Sequence, residues 1–261
     1  MQMKITSTSD NSLCHTFEKE FTLRYFEMNK QGAITPSAML TLLEETAADH
    51  CEMIDQSLYE LGKKNTGWVL ISGCLQMIKY PKYKEKITIK TWMSEYTSVK
   101  GIRENLIYDE QRNIIGKAKG LWIFFDIKRR RPVRIFDEIK TKWSSSKEVS
   151  IECKLNSEVP VIESGDIETK IKVKRYDTDM NDHVNNIRYL DWLMDSIPNN
   201  YVENYSLSSI DGRFLGEAQV NDRLINYTRK GNDENTFFHT IKNIRTNKVC
   251  ATAVTQWSSN K

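Results

Sequence analysis

Two stretches decide the reading of this chain: R-Y-F-E-M-N-K-Q-G-A-I-T-P, Arg24 to Pro36, and R-Y-D-T-D-M-N-D-H-V-N-N, Arg175 to Asn186. Each follows a short alternating run, F-T-L in the first and I-K-V-K in the second, and each leads into a helical pattern. Several β-rich runs come after each helix, with no further long helix. The two copies also end alike. R-N-I-I-G-K-A from Arg112 and R-T-N-K-V-C-A from Arg245 both run through an apolar stretch to a tryptophan, Trp122 and Trp257. A recurring order of elements marks an internally repeated fold, and here it carries more weight than the few identities.

Within the first copy, Thr35 is a helix cap and Pro36 fits the first helical position. Met39, Leu42, Leu43 and Thr46 follow at helical spacing. In the second copy a helix from about Asn186 carries Ile187, Leu190, Met194 and Ile197 on one stripe, and Pro198 marks its stop. In K-I-T-I-K-T-W-M, Ile87, Ile89, Thr91 and Met93 face one way while Lys86, Lys90 and Trp92 face the other. L-W-I-F-F-D-I from Leu121 is apolar on both faces, which reads as a central strand covered on both sides. Each half is therefore strand, helix, four strands. The apolar helix of each half needs a sheet to cover it, which gives an α+β fold. The expected division is residues 1–142, a polar linker over 143–166 containing S-S-S-K-E, and residues 167–261.

Composition excludes several classes of function. The 261 residues are 39% hydrophobic, enough to bury a core. The 38 basic and 35 acidic side chains nearly cancel, to +3, which argues against a nucleic-acid partner. Mean hydropathy is −0.57, and no stretch approaches the roughly 18 apolar residues of a membrane span. The first ten residues lack the apolar core of a secretory signal. The cysteines Cys14, Cys51, Cys74, Cys153 and Cys250 are odd in number, scattered and without a C-x-x-C, as expected of reduced thiols in the cytoplasm. The histidines His15, His50, His183 and His239 show no ligand spacing, so no metal site is expected. His50 and His239 read as structural. A homodimer is left open.

The chemistry concentrates in D-T-D-M-N-D-H-V-N-N, Asp177 to Asn186. Asp179, Asn181 and His183 alternate, so an extended approach would put them on one side. Backbone N–H groups at the following helix start could polarise a carbonyl oxygen. An ordinary capping segment is the competing reading, since Asp and Asn are common caps. In the first copy, with Met28 set against Met180, Gln31 falls about where His183 stands and Asp179 has no counterpart. Only the second copy is then expected to do chemistry, leaving the first free to become a binding surface. No G-x-S-x-G is present, and no cysteine has a reactive-looking setting.

The string Y-D-T-D-M-N-D-H-V-N-N-I-R-Y-L-D-W resembles the signature of the acyl-acyl carrier protein (acyl-ACP) thioesterases. F-T-L-R-Y-F-E-M-N-K-Q-G-A-I-T, W-V-L from Trp68 and the strand ending at Trp92 are similar to other parts of that family. The resemblance implies two tandem hotdog domains, each a central helix wrapped by an antiparallel sheet. It assigns catalytic roles to Asp179, Asn181 and His183, and to Glu217 in G-R-F-L-G-E-A-Q-V-N-D, placed early in a strand. Ala218 stands where plant members carry cysteine, which favours attack by water over attack by sulfur.

The implied reaction is hydrolysis of acyl-ACP to a free fatty acid, ending fatty-acid synthesis, with acyl carrier protein as partner and no cofactor. Glu217 would act as base toward water. Asn181 would position the water or the carbonyl, and His183 would donate to the developing charge. Asp179 would orient the network, with direct attack by its carboxylate as the lesser version. Met39, Leu42, Leu43, Trp68 and Leu70 are the expected acyl-tunnel walls. The basic run Lys128, Arg129, Arg130, Arg131 and Arg134 is either a solvated turn or a docking patch for the acidic carrier, in both cases away from the chemistry. Acyl-CoA hydrolysis and a non-catalytic acyl-binding sensor are the alternatives. The two carboxylates and His183 argue against the sensor, because a binding tunnel has no need of them.

Overall fold

The computed structural model describes residues 16–143, 145–179 and 184–260. The first half runs β1 (Thr16–Thr22), α1 (Pro36–Glu52), α2 (Leu58–Lys63), β2 (Thr66–Met77), β3 (Lys86–Tyr96), β4 (Lys100–Tyr108), β5 (Ile114–Asp126), the two-residue β6 (Arg131–Pro132) and α3 (Asp137–Lys142). The second runs β7 (Ile167–Lys172), α4 (Asn186–Asp195), α5 (Asn199–Val202), β8 (Tyr205–Phe214), β9 (Arg223–Lys230), β10 (Thr236–Asn243) and β11 (Val249–Ser259). The strands form one sheet in the order β1-β3-β4-β5-β2-β8-β11-β10-β9-β7, with β6 added to β5. Every named pairing is antiparallel. This is a tandem hotdog: each half wraps its sheet around its own long helix.

The halves join where β2 pairs with β8, from Ser72 opposite Arg213 to Gln76 opposite Ser209. These are equivalent strands, the first after the long helix in each copy. Their antiparallel pairing relates the halves by an approximate two-fold, as in an isologous dimer. It also sets α1 against α4 on the same side of the joined sheet.

The repeat persists down to single hydrogen bonds. Leu23 N–H donates to Glu85 O as Val173 N–H donates to Asp222 O. Thr35 N–H donates to Glu27 O as Asn185 N–H donates to Asp177 O, and Ile34 N–H donates to Pro81 O as Val184 N–H donates to Ala218 O. Thr35 caps α1 through Ala38 N–H at 3.1 Å, and Asn185 caps α4 through Ile187 N–H at 2.8 Å. A side-chain oxygen at that position satisfies one donor of the first helical turn in both copies.

Met39, Leu42, Leu43 and Thr46 are buried along α1 as the spacing predicts. On the second stripe Leu190 and Ile197 are buried as the spacing predicts, and the remainder is corrected. Tyr189, Leu190 and Leu193 are the buried residues of α4, while Ile187 and Met194 are only partly covered. The helix stops at Asp195, and Pro198 stands just before α5 with no side-chain capping bond. Trp92 points away from Ile87 and Ile89 but is fully buried, because the segment between the halves crosses that face. Its indole N–H donates to Glu148 O at 2.9 Å. Further along, Ser150 donates to the buried Glu104 carboxylate, and Leu155, Val159 and Ile162 are buried. The linker is a packed strap over the back of the sheet. Among the described residues no helix is long and apolar enough to cross a membrane.

Candidate active site

The segment carrying Asp179 is anchored at both ends. A short 3-10 turn, Arg175–Asp177, precedes it, and Asp177 accepts a hydrogen bond from Lys174 N–H at 2.6 Å. Thr178 and Val184 then form an isolated antiparallel bridge, so the ends of the motif lie side by side rather than along one extended strand. Asn181 and His183 lie outside the described residues. Val184 N–H donates to Ala218 O at 3.0 Å, which ties the end of the motif to the residue after Glu217. Asp179 and Glu217 are thereby brought to the same end of the second half.

Glu217 sits in the loop between β8 and β9, which corrects its expected place in a strand. Leu215 and Gly216 N–H groups both donate to Cys250 O just after β8 ends at Phe214, three residues ahead of Glu217. The Glu217 carboxylate is half-exposed and accepts a hydrogen bond from the Arg130 guanidinium of the other half. Arg130 ends the turn between β5 and β6 in a left-handed conformation, φ 51°.

The basic run is thus corrected in two respects. Arg130 reaches the candidate site rather than standing apart from it. Arg129 and Arg134 are paired with Asp126 at 3.9 Å and Asp137 at 3.0 Å, because carboxylates three residues away along the chain lie within reach. Lys128 and Arg131 have no acidic partner among the described residues.

The equivalent loop of the first half is bridged by Met28 and Ile34, a span of the same length. This moves the expected alignment of the two motifs by two residues. Asn29 answers to Asp179, and by position Gln31 answers to Asn181 and Ala33 to His183. Asn29 Oδ1 accepts from the N–H groups of Gln31 and Ala33, both at 3.0 Å, so it serves its own turn. Because Pro81 O takes the role of Ala218 O, Tyr80 stands where the second half has Glu217. Its hydroxyl donates to Leu207 O at 2.8 Å.

Between α1 and α4 lies a largely apolar cavity of about 110 Å3. Leu40, Leu43, Glu44 and Ala47 line it from α1, and Asn186, Ile187, Leu190 and Leu193 from α4. Leu70, Gly73 and Gly120 contribute from the sheet floor. A Cβ on Gly120 would lie 3.0 Å from Leu70 Cδ1, so glycine there leaves Leu70 its place at the cavity. The volume is comparable to the engineered cavity of about 150 Å3 that admits benzene.

Leu43 and Leu70 therefore line the cavity, while Met39, Leu42 and Trp68 do not. Met39 and Leu42 turn into the core against the sheet, because residues one position apart on a helix point about 100° apart. Trp68 packs on Phe124, with ring centroids 5.0 Å apart, in a separate cluster under the end of α1.

Glu44 was not singled out from the sequence. Burial, and then the charge of Asp179, push its carboxyl up to about 7. Its signal was present in L-x-x-L-E-x-x-A, Leu40 to Ala47, which puts the glutamate on the apolar side of the helix.

The histidines His50 and His239 are structural. His239 bonds Thr228 and Thr255, both at 3.0 Å, and burial pushes it down to about 3. His50 contacts Arg103 at 3.0 Å and is pushed down to about 2 by burial and then by that guanidinium. Among the described residues no group of histidines, cysteines and carboxylates is arranged to hold a metal ion. Four free cysteines are described. Cys74, in the cavity floor, holds its proton firmly, through its contact with Cys153 and then burial, so it is a thiol rather than a nucleophilic thiolate.

Comparison with known proteins adds sequence relatives to this geometry. The family model for the acyl-ACP thioesterase N-terminal domain matches residues 14–143, and that for the C-terminal domain matches residues 162–259. The chain is 24% identical over 223 residues to oleoyl-acyl carrier protein thioesterase 2 of Arabidopsis thaliana, covering 79% of this chain and 61% of that one. It spans about three fifths of the length of the plant relatives it matches. A crystal structure of an acyl-ACP thioesterase from Bacteroides thetaiotaomicron superposes with a TM-score of 0.84 at 20% identity, covering 93% of this chain and 98% of that one. The 12:0-ACP thioesterase from Umbellularia californica gives 0.83 at 18% identity, covering 94% and 98%. At these identities the structural likeness speaks for the fold.

Proposed function

Given that the chain belongs to the acyl-ACP thioesterase family, we propose that it hydrolyses the thioester of an acyl carrier protein to a free fatty acid and releases the carrier thiol. The observation that carries this reading is the meeting of three features at one end of the second half. The Asp179 motif is tied through Val184 to the Glu217 loop. The residues that follow the motif, Asn186 and Ile187, line the apolar cavity. Arg130 of the first half pairs with Glu217. A bound acyl chain would lie between α1 and α4, with its thioester at the start of α4.

A thioester has a good leaving group, so hydrolysis needs an activated water and a stabilised oxyanion. The start of α4 supplies positive potential for that charge. Asn181 would position water or the carbonyl oxygen, His183 would donate to the oxyanion, and Asp179 would orient them. The family resemblance gives Glu217 the base role. Its contact with Arg130 gives it another, holding the two halves together at the rim. The proposed division of labour puts Asp179, Asn181, His183 and Glu217 in residues from 167 onward and acyl selection in residues up to 142, with the cavity wall shared.

An acidic carrier would approach over Arg130 and Arg131, since surface cations steer encounter and orientation. The free thiols fit a reducing compartment, and a place at the end of fatty-acid synthesis follows from the substrate. The test is turnover of purified protein on acyl-ACP and acyl-CoA of graded lengths. Hydrolysis of acyl-ACP at a higher kcat/KM supports the reading. A preference for acyl-CoA replaces the partner, and tight acyl binding without hydrolysis replaces enzyme by sensor.

A further inference from the structure

The approximate two-fold makes two loop–helix sites, each pairing the loop of one half with the helix of the other. Where the second-half loop carries Asp179 and Glu217, the first-half loop carries Asn29 and Tyr80. The same equivalence, set by the caps Thr35 and Asn185, extends along the helices. Nine residues past each cap stand Glu44 on α1 and Met194 on α4. Glu44 lines the cavity beside Asn186 and Ile187, and the Asp179 carboxylate acts on it electrostatically. Glu44 and Asp179 thus act on each other, Glu217 stands beside the end of the Asp179 motif, and none of the three has a carboxylate at its equivalent in the other half.

On the thioesterase reading above, we propose that Glu44, delivered by the helix of the first half, is the catalytic base that takes the proton from the hydrolytic water. A water O–H bond breaks and its proton goes to the Glu44 carboxylate while the oxygen bonds to the thioester carbon. When the tetrahedral intermediate collapses, the C–S bond breaks and the proton passes to the departing thiolate. Acid, thiol and free Glu44 carboxylate remain, so the step balances without a cofactor.

A carboxyl that titrates near 7 is matched to proton transfer at neutral pH, where an ordinary glutamate is a weak base. The other titratable groups around the cavity are Cys74, Arg103, Lys119, Tyr189 and Arg213. The cations among them are committed elsewhere: Arg103 to His50 and Thr91, Lys119 to Glu104 at 3.2 Å, and Arg213 to Asp211 at 2.5 Å. Burial and Asp179 therefore set the proton affinity of Glu44. Glu217, half-exposed and held by Arg130, becomes a positioning residue at the rim.

The experiment is steady-state hydrolysis of acyl-ACP by the full chain from pH 5 to 9, for wild type, Glu44→Gln, Glu44→Asp and His183→Ala. In the wild type kcat should rise with pH through a midpoint near 7. Glu44→Gln should lose about 10²-fold or more in kcat and the rising limb with it. Glu44→Asp, which keeps the acid but withdraws it by one methylene, should retain the limb at a kcat lowered about tenfold, and it carries the test if the glutamine variant does not fold. A folded Glu44→Gln within threefold of wild type, with the same limb, overturns Glu44 as base and leaves the thioesterase reading standing. A wild type that turns over no faster than His183→Ala overturns both.

Discussion

Replacing Glu44 by glutamine should stabilise the protein at neutral pH and not at acid pH. The acid is harder to ionise in the folded chain, at about 7 against an ordinary 4.5, because burial and then Asp179 oppose its charge. The penalty is absent below the unfolded value, grows as pH rises from about 4.5, and is complete above about 7. At about 1.4 kcal/mol per tenfold in proton affinity the ceiling is about 3 kcal/mol. Water reaches part of the side chain, so about 2 kcal/mol is the working figure. Thermal unfolding followed by circular dichroism at pH 5 and pH 8 measures it. About a quarter of that is already present at pH 5, so between those values the Tm of Glu44→Gln relative to wild type should rise by roughly 3–6 °C, using about 2–4 °C per kcal/mol for a chain of this size. The amide has its own burial cost, but that cost is the same at both pH values and cancels in the comparison. A difference in Tm that does not change with pH would mean that Glu44 ionises like a surface glutamate, and the reasoning behind its catalytic assignment would fail.

His183→Ala should lower turnover by about 10²-fold or more with the far-UV spectrum unchanged, the scale of a positioned acid–base group. Serine at all five cysteines should leave turnover within about tenfold; loss of activity from one such change in a folded protein would move the nucleophile to sulfur. Leu43→Trp, at the cavity wall, should shift the released acids toward shorter chains, while Met39→Trp, in the core, should instead destabilise by about 1–3 kcal/mol with the product profile kept; gas chromatography of the released acids and urea titration separate the two. Arg131→Glu should raise KM for acyl-ACP and flatten its salt dependence at nearly constant kcat, whereas Arg130→Ala should lower kcat as well, since it touches Glu217. Equal effects on kcat would return both arginines to a single docking patch.

The order of elements, the helix caps and the alternation of β3 could be read from residues alone, because each is a local rule. Alignment of the two motifs could not. The shared Met-Asn invites a match of Met28 with Met180, yet the backbone bridges set Met28 against Thr178. Letters two residues out of step outvoted a geometry that only the closed loops reveal. Which of the expected wall residues meet the cavity could not be read for a related reason. Periodicity shows that Met39, Leu42 and Leu43 are covered, but only the neighbouring helix decides whether a covered side chain meets the sheet or a cavity. The pairing of Arg130 with Glu217 depends on the join between β2 and β8, which no local pattern encodes.

Glu44 is the most informative of the missed residues, because the fold itself supplies its control. Met194 fills the equivalent place on α4, in the same architecture and against the same kind of sheet, with a neutral side chain that packs partly buried. Packing therefore does not require a carboxylate nine residues past the cap. A carboxylate kept there, close to a second one and short of water, lowers stability at neutral pH. The matching positions of the other loop also carry no acid, with Asn29 and Tyr80 in those places. A structural role for Glu44 would not track the chemistry of a loop in the other half of the chain. A share in that chemistry would, and it places the cost at the one site of the two that retains Asp179 and Glu217.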